Sequence, residues 1–341
     1  MERSARDATG LTELDLALVE ALQVDPRGPW TRIGPSIGVD ATTAARRWER
    51  LTGLGLAWLT VYPTAPTLVL GYLDLGCAAD RLGAVTDWLC AHPAVFSVER
   101  QTGLFPLTVG VDAWDLPSFD GFVAEEVGRV PGVTAVRSAV AMRQYREGSG
   151  WRVRALSAEQ AAGLDRTVGH ARLRTPPRAS DPADAALVRG LAVDGRRTCR
   201  DLADECGMTE ATVRRRIGRM MAGHEVEFRC DLAGGLAGWP VIANFRLDVP
   251  GARLGEVGAL IAAQPETRWC AAMTGEHNMR VCVWLRAPED AVAFEARLSA
   301  LDPAARVAER TLTTWMPKRM GRLLDADGVA KGVVPMAPLG G

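Results

Sequence analysis

Histidine is scarce in this chain: four residues, at 92, 170, 224 and 277, among 341. They are too few and too scattered to compose a catalytic triad, and no GxGxxG, P-loop or HExxH pattern occurs. The seven cysteines (77, 90, 199, 206, 230, 270 and 282) include no CxxC pair and no zinc-like spacing to a histidine. Odd in number and set in apolar segments, they read as reduced, buried thiols. No metal, cofactor or catalytic residue is therefore expected. Long apolar runs are missing too. The best candidate, TLVLGYLDLGC, is interrupted by Asp74 and is well short of the roughly 20 residues that span a bilayer. The first ten residues, MERSARDATG, are polar and hold no secretory apolar core. These absences predict a cytoplasmic protein with no membrane partner. Neither sign of charge dominates: the net charge is −1, with 48% hydrophobic and 24% charged residues. Such a composition excludes a disordered or fibrous chain, and the length allows two domains or more.

What is present is repetition. Displaced by 169 positions, Asp15, Ala17, Leu18, Val19 and Leu22 fall on Asp184, Ala186, Leu187, Val188 and Leu191. The same register places Arg27 on Arg196, Gly38 on Gly207, and Arg46, Arg47 and Arg50 on Arg215, Arg216 and Arg219. Displaced by 172, Leu82-Gly83 falls on Leu254-Gly255, Thr102-Gly103 on Thr274-Gly275 and Phe122 on Phe294. Two ungapped registers so close in offset identify a tandem duplication. The expected boundaries are a front part at 11–63, a back part at 66–147, a linker with one short helix at 148–180, a second front part at 181–230 and a second back part at 239–325. The final stretch, GVAKGVVPMAPLGG, reads as a loose tail.

The second front part spells its helices out. Asp181 and Pro182 suit the cap and first position of a helix through ADAALVRGLAV. Thr198 and Asp201 form a capping box before DLADEC, Gly207 supplies a tight turn, and Thr209 caps EATVRRRIGRMMAG. On that third helix Val213, Ile217 and Met220 make one apolar stripe. From 210 to 222 four arginines stand against Glu210, whereas 66–136 holds nine acids and three arginines, so local charge matters more than the chain total. Two short helices joined by a glycine turn, the second basic, form the helix-turn-helix pattern, which suits double-stranded DNA. An arginine run alone is commonly a solvated face; its recurrence in the other copy argues for more. The expected contacts are Thr209, Glu210, Thr212, Arg214, Arg215, Arg216 and Arg219, with Arg216 at the border of the packed face. In the first copy they are Thr42, Thr43, Arg46, Arg47 and Arg50. There Gly34 and Pro35 predict a bent or weakened second helix, and Trp48 takes the core place of Ile217. HEVEFRC alternates and reads as a short wing strand.

Each back part reads β-α-β-β-α-β, a split βαβ or ferredoxin-like sandwich. In the second copy the elements are VIANFRLDV, LGEVGALIAAQ, TRWCAAMTG, HNMRVCVWLR, EDAVAFEARLSAL and RVAERTLTTWM. In the first they are TLVLGYLDL, LGAVTDWLCAH, FSVERQTG, FPLTVGVD, SFDGFVAEEVGRV and VTAVRSAVAM. The fold class is therefore α+β: two copies of a winged helix-turn-helix followed by a ferredoxin-like domain.

This layout, carried by DLADECGMTEATVRRRIGRM and TGEHN in one copy and by IGVDATTAARRWERL and QTG in the other, resembles the Lrp/AsnC (leucine-responsive regulatory protein) family of transcription regulators. The resemblance covers nearly the whole chain as two fused copies. It implies DNA binding through the helix-turn-helix, homo-oligomers built through the sandwich domains, and sensing of an amino acid or other small molecule at the turn between the central strands. That turn is Gly275-Glu276-His277-Asn278, with Asn in place of an acid, so an amine-binding carboxylate is expected there. In the first copy Gly103-Leu104-Phe105-Pro106 carries no acid. His277 beside Glu276 also suits a polar turn residue, a simpler reading than a general base. Fused pairs of this architecture also include siroheme-type decarboxylases, which implies an enzymatic alternative; tyrosine is scarce here (62, 72 and 145), and the arginines on the third helix favour the regulator.

Overall fold

The computed structural model describes residues 10–65, 67–164 and 181–340. The first copy contributes α1 (Glu13–Val24), α2 (Trp30–Ser36), α3 (Ala41–Gly53) and β1 (Ala57–Pro63), then β2 (Val69–Cys77), α4 (Leu82–Ala91), β3 (Val95–Gln101), β4 (Leu107–Ala113), α5 (Leu116–Gly121) and β5 (Val133–Arg146). Helix α6 (Ala158–Leu164) lies in the expected linker, of which 165–180 fall outside the described residues. The second copy contributes α7 (Pro182–Val193), α8 (Cys199–Cys206), α9 (Glu210–Ala222) and β6 (Val226–Leu232), then β7 (Val241–Asp248), α10 (Leu254–Ala262), β8 (Thr267–Met273), β9 (Met279–Leu285), α11 (Glu289–Leu301) and β10 (Arg306–Arg319). Short strands β11 (Arg322–Leu324) and β12 (Ala330–Val333) follow. The chain divides by kind of domain rather than by copy. One unit holds the described residues up to Leu68, Arg152–Ala233 and Val329–Met336; the other holds Val69–Trp151, Gly234–Gly328 and the residues from Ala337 on.

In the first unit the caps form as the sequence predicts. The Thr198 hydroxyl accepts from Asp201 N, Thr209 from Thr212 N, and Gly207 adopts the left-handed conformation at φ 65°. Helix α2 keeps Pro35 inside it and ends at Ser36; a Cβ on Gly34 would lie 2.8 Å from the Asp40 carbonyl carbon, so the glycine lets the helix-turn-helix close tightly. Trp48 and Ile217 are both buried. The strand after each third helix pairs with its counterpart: β1 and β6 are antiparallel, with Thr60 facing Arg229. Val61 on β1 enters the core made by Leu187, Leu191, Leu202, Val213 and Ile217 of the other copy, so the first copy completes the second motif's core. Two arginines complete the exchange. Arg27 donates to the carbonyls of Gly195 (2.6 Å) and Arg197 (3.1 Å), while Arg196 donates to those of Pro26 (2.7 Å) and Gly28 (2.8 Å).

In the second unit each back part is a βαββαβ sandwich with its helices on one sheet face. Leu73, Leu75, Val109, Val111 and Phe122 pack in one core, and Phe245, Leu247, Val281, Val283 and Phe294 in the other. Strands β5 and β10 run 14 residues each, longer than their sequence pattern suggests, because each serves two sheets. β5 pairs with β2 and then, beyond Val140, with β8; β10 pairs with β7 and then with β3. The order β10-β3-β4-β2-β5-β8-β9-β7 returns to β10, an antiparallel ring of eight strands. Closure removes edges open to foreign strands. Cations of each copy also reach the helix ends of the other: Arg146 donates to the Ala262 carbonyl (2.5 Å) and Lys318 to the His92 carbonyl (2.8 Å). Two expectations are corrected. The second helix of the first sandwich breaks after Gly121 into a π turn (Phe122–Glu126) and a 3-10 turn. The expected loose tail is held in place, since Leu339 N donates to Asp112 O and Trp114 N to Leu339 O, both at 2.9 Å.

Candidate nucleic-acid interface and effector pocket

Helices α3 and α9 bury one face and expose the other. Asp40 caps α3 by accepting from Thr43 N (2.9 Å) and the Thr43 hydroxyl (2.7 Å), and the Thr209 hydroxyl lies 2.9 Å from that of Thr212. Thr42, Arg46, Glu210, Arg214 and Arg215 are exposed. The Arg214 side chain is 70% accessible and pairs along the helix with Glu210 at 2.5 Å, a surface contact worth little.

The other four arginines expected at DNA pair with acids of their own motif, Arg50 while remaining exposed. Arg47 and Arg50 reach the two carboxylate oxygens of Asp15, at 3.1 and 2.7 Å. Arg216 reaches Asp184 (2.7 Å) and Asp181 (2.6 Å), and Arg219 pairs with Asp184 and, at 3.3 Å, with Glu225. In both copies the acid on the first helix therefore fixes the third. Burial pushes the Asp15 carboxyl upward, but hydrogen bonds from Thr12 and Arg50 outweigh it and hold it below the usual carboxylate range. Hydrogen bonds to Asp181 and Asp184 raise Arg216 above its ordinary value. Sequence reasoning gave Asp15 and Asp184 no part in holding the arginines, although they recur in the same register as those arginines. It likewise missed Arg27 and Arg196; burial and the charge of Arg27 push Arg196 down to about 10.

The turn 274–278 is shaped by Gly275 at φ 97°. Asn278 is spent on structure: its amide accepts from Val249 N (2.9 Å) and donates to Val249 O (2.7 Å). His277 Nδ1 lies 2.8 Å from Asp248, which also pairs with Arg306. Glu276 stays 69% accessible, 3.9 Å from Arg137. Beside the turn lies a pocket lined by Tyr72, Asp74, Arg137, Arg246 and Arg280. Burial pushes Arg246 down to about 10, helped by Arg280, and raises the Tyr72 hydroxyl. Asp74 is lowered: burial opposes its charge, but Arg280, Arg246 and Arg137 and a bond from Thr108 win. In the first copy's turn Leu104 is 83% exposed and Phe105 lies under Arg137 at 4.7 Å. Among the described residues, no group of three or more His, Cys, Asp or Glu is arranged for a metal ion, and no helix is long and apolar enough to cross a membrane.

The AsnC-type helix-turn-helix domain matches residues 11–52 and again 181–221, and the Lrp/AsnC ligand binding domain matches 73–151. The chain is 25% identical over 139 residues to an uncharacterized HTH-type transcriptional regulator of Pyrococcus abyssi (strain GE5 / Orsay), spanning 40% of this chain and 88% of that one. A similarly described regulator of Pyrococcus horikoshii is 24% identical over 139 residues, 40% of this chain and 88% of its own. Along the whole length the fold resembles the crystal structure of the siroheme decarboxylase NirDL, with 13% identity, a TM-score of 0.59 and coverage of 91% of this chain and 93% of that one. At such identity the likeness is one of fold alone.

Proposed function

We propose that the chain, a member of the Lrp/AsnC family with two matches to the AsnC-type helix-turn-helix domain and one to the Lrp/AsnC ligand binding domain, is a sequence-specific DNA-binding transcriptional regulator and not an enzyme. The observation that carries the proposal is the docked pair of motifs. The β1–β6 ladder and the reciprocal Arg27 and Arg196 bonds hold two recognition helices in one chain. Each helix keeps arginine on its open face: Arg46 on α3, Arg214 and Arg215 on α9. These three meet phosphates or guanine edges, with Thr42, Thr43, Thr209, Glu210 and Thr212 at the helix starts. Arg47, Arg50, Arg216 and Arg219 act mainly by fixing the helix angle through Asp15 and Asp184.

The pocket beside Glu276 supports a small effector carrying both charges, with Arg137 and Arg280 for a carboxylate and Glu276 for an amine. The sandwich pair already forms a dimer-like body within the chain, and whole chains assemble further through it. The test is capture of genomic fragments by purified protein at two salt concentrations, beside R214A/R215A. A discrete set of fragments, lost in the double variant, is expected. The salt slope should fall by about 0.9 per phosphate contact removed. Capture by R214A/R215A equal to wild type removes these two arginines from the interface.

A second reading, an enzyme acting on a tetrapyrrole, has one observation in its favour: the whole-chain fold likeness to a siroheme decarboxylase. Arg137, Arg246 and Arg280 would then face tetrapyrrole carboxylates. A Soret band retained after gel filtration, together with no salt-dependent DNA capture by either protein, decides for it.

A further inference from the structure

In the sandwich unit three contacts join residues 172 positions apart, the same displacement that superposes the two back parts. Each is one repeat position meeting itself across the pseudo-twofold axis. In a symmetric homodimer such a position faces an identical residue. Here it does not. Arg246 faces Asp74 at 2.5 Å, Arg137 faces Glu309 at 2.7 Å, and Arg280 faces Thr108 at 3.0 Å. Asp74, Arg246 and Arg280 are each at most 5% exposed. Within each copy the charges also pair, Arg137 with Asp74 at 2.9 Å and Arg246 with Glu309 at 3.4 Å. Glu99 of the first copy accepts from Asn244 (3.2 Å) and Thr313 (2.7 Å) of the second.

We infer that this axis is a pairing code: the first sandwich domain fits the second and rejects a second copy of itself. The first copy brings the carboxylates of Asp74 and Glu99 and the guanidinium of Arg137. The second brings the guanidinia of Arg246 and Arg280 and the carboxylate of Glu309. Joined, the charges balance. Two first domains would set Asp74 against Asp74 and Arg137 against Arg137, with carboxylate in excess. Two second domains would bury four guanidinia against two carboxylates. Like charges in contact at a dry site are strongly unfavourable, and leaving one member of a buried pair uncompensated costs more than the intact pair gains. The strand seams do not discriminate in this way, since β5–β8 and β10–β3 are backbone ladders open to either partner. Specificity therefore rests on the axis charges, the usual place for an element that repels wrong partners. The inference holds whether the pocket serves a regulator or an enzyme.

The test uses the full chain in three forms. R246D/E309R gives both copies the same signs, so that like faces like across the axis. D74R/R137E/R246D/E309R exchanges the signs and restores the 74–246 and 137–309 pairs, while the new guanidinium at position 74 lies beside Arg280. Thermal melting and amide exchange at the two seams, read at Thr274 and Thr102, whose amides donate across them to the carbonyls of Val140 and Leu312, are compared with wild type. The symmetric variant is expected to melt roughly 10 °C lower and to lose protection at both seams. The four-site variant is expected to recover part of both. Wild-type seam protection in R246D/E309R overturns the inference. So does a four-site variant no better than the symmetric one, a comparison that stands even if the symmetric form does not fold.

Discussion

Replacing Asp15 by asparagine isolates the charge that braces the first helix-turn-helix. The carboxylate is fully covered, takes Arg47 and Arg50 on its two oxygens, and accepts the Thr12 amide (3.0 Å) and hydroxyl (2.8 Å). Asparagine keeps the shape and one acceptor. A bond to a charged partner contributes about 1 kcal/mol more than a neutral one, so two such bonds give about 2 kcal/mol. The arginine side chains are 33% and 43% accessible, and solvent screening reduces the loss to about 1–2 kcal/mol. For a unit of this size that lowers Tm by roughly 3–8 °C. The pH dependence gives a second check. Asp15 is held below its ordinary value of 3.8, so its contribution is present above that value and is lost as pH falls through the depressed one. The gap between wild type and D15N should be constant from pH 7 to about 5 and close below about pH 4. Melting curves across that range measure it. Equal stability at pH 7, or a gap unchanged at pH 3, refutes the brace.

Burial pushes Asp112 up to about 7, and among the described residues its Oδ1 has no hydrogen-bond partner. Its neutral form is the one the fold tolerates, so stability is lost as pH rises through 7; D112N should out-melt wild type at pH 8.5, with the advantage gone near pH 4. Lys318 is fully covered and burial pushes it down to about 8 from 10.5. The cost of burying its charge is full below pH 8 and vanishes above pH 10.5, so wild type should gain on K318M across that window in melts at stepped pH.

Most of the local structure was legible. Caps at Thr198, Thr209 and Asp181, the left-handed Gly207 and the βαββαβ order follow from side-chain chemistry within a few residues. What escaped reading depends on partners far away in the chain. The second halves of β5 and β10 carry no signal of their own, because their alternation serves a different sheet from the first halves. For the proposed DNA face, arginine spacing marks the helix, but whether a guanidinium faces solvent or Asp184 depends on how α7 packs on α9. Asn278 looked like a ligand position, yet the Val249 backbone takes both ends of its amide.

The two displacements in the sequence divide by domain kind. The helix-turn-helix pair keeps 169 and the sandwich pair 172, one offset for each unit. The three extra residues fall in the joint, Ala233–Pro240 in the second copy against Thr64–Leu68 in the first. The axes have evolved differently. In the helix-turn-helix unit the self-facing position stays alike, Arg27 with Arg196, and the scaffold acids Asp15 and Asp184 match. In the sandwich unit two self-facing positions carry opposite charges, Asp74 with Arg246 and Arg137 with Glu309. A symmetric scaffold presenting unlike side chains should read an imperfect palindrome. Arg46 and Arg215 occupy the same repeat position, but Arg214 stands where the first copy has Ala45, and Glu210 where it has Ala41. The two half-sites should share a phosphate footprint and differ where Arg214 reaches. A good arginine–base pair discriminates by about 1–3 kcal/mol, so a perfect palindrome built from the half-site preferred by α3 should bind roughly tenfold or more weakly than the natural site. Titration of the two duplexes at one salt concentration measures the difference, and R214A should erase it; equal affinity of wild type for both duplexes would mean that the two helices read alike despite Ala45.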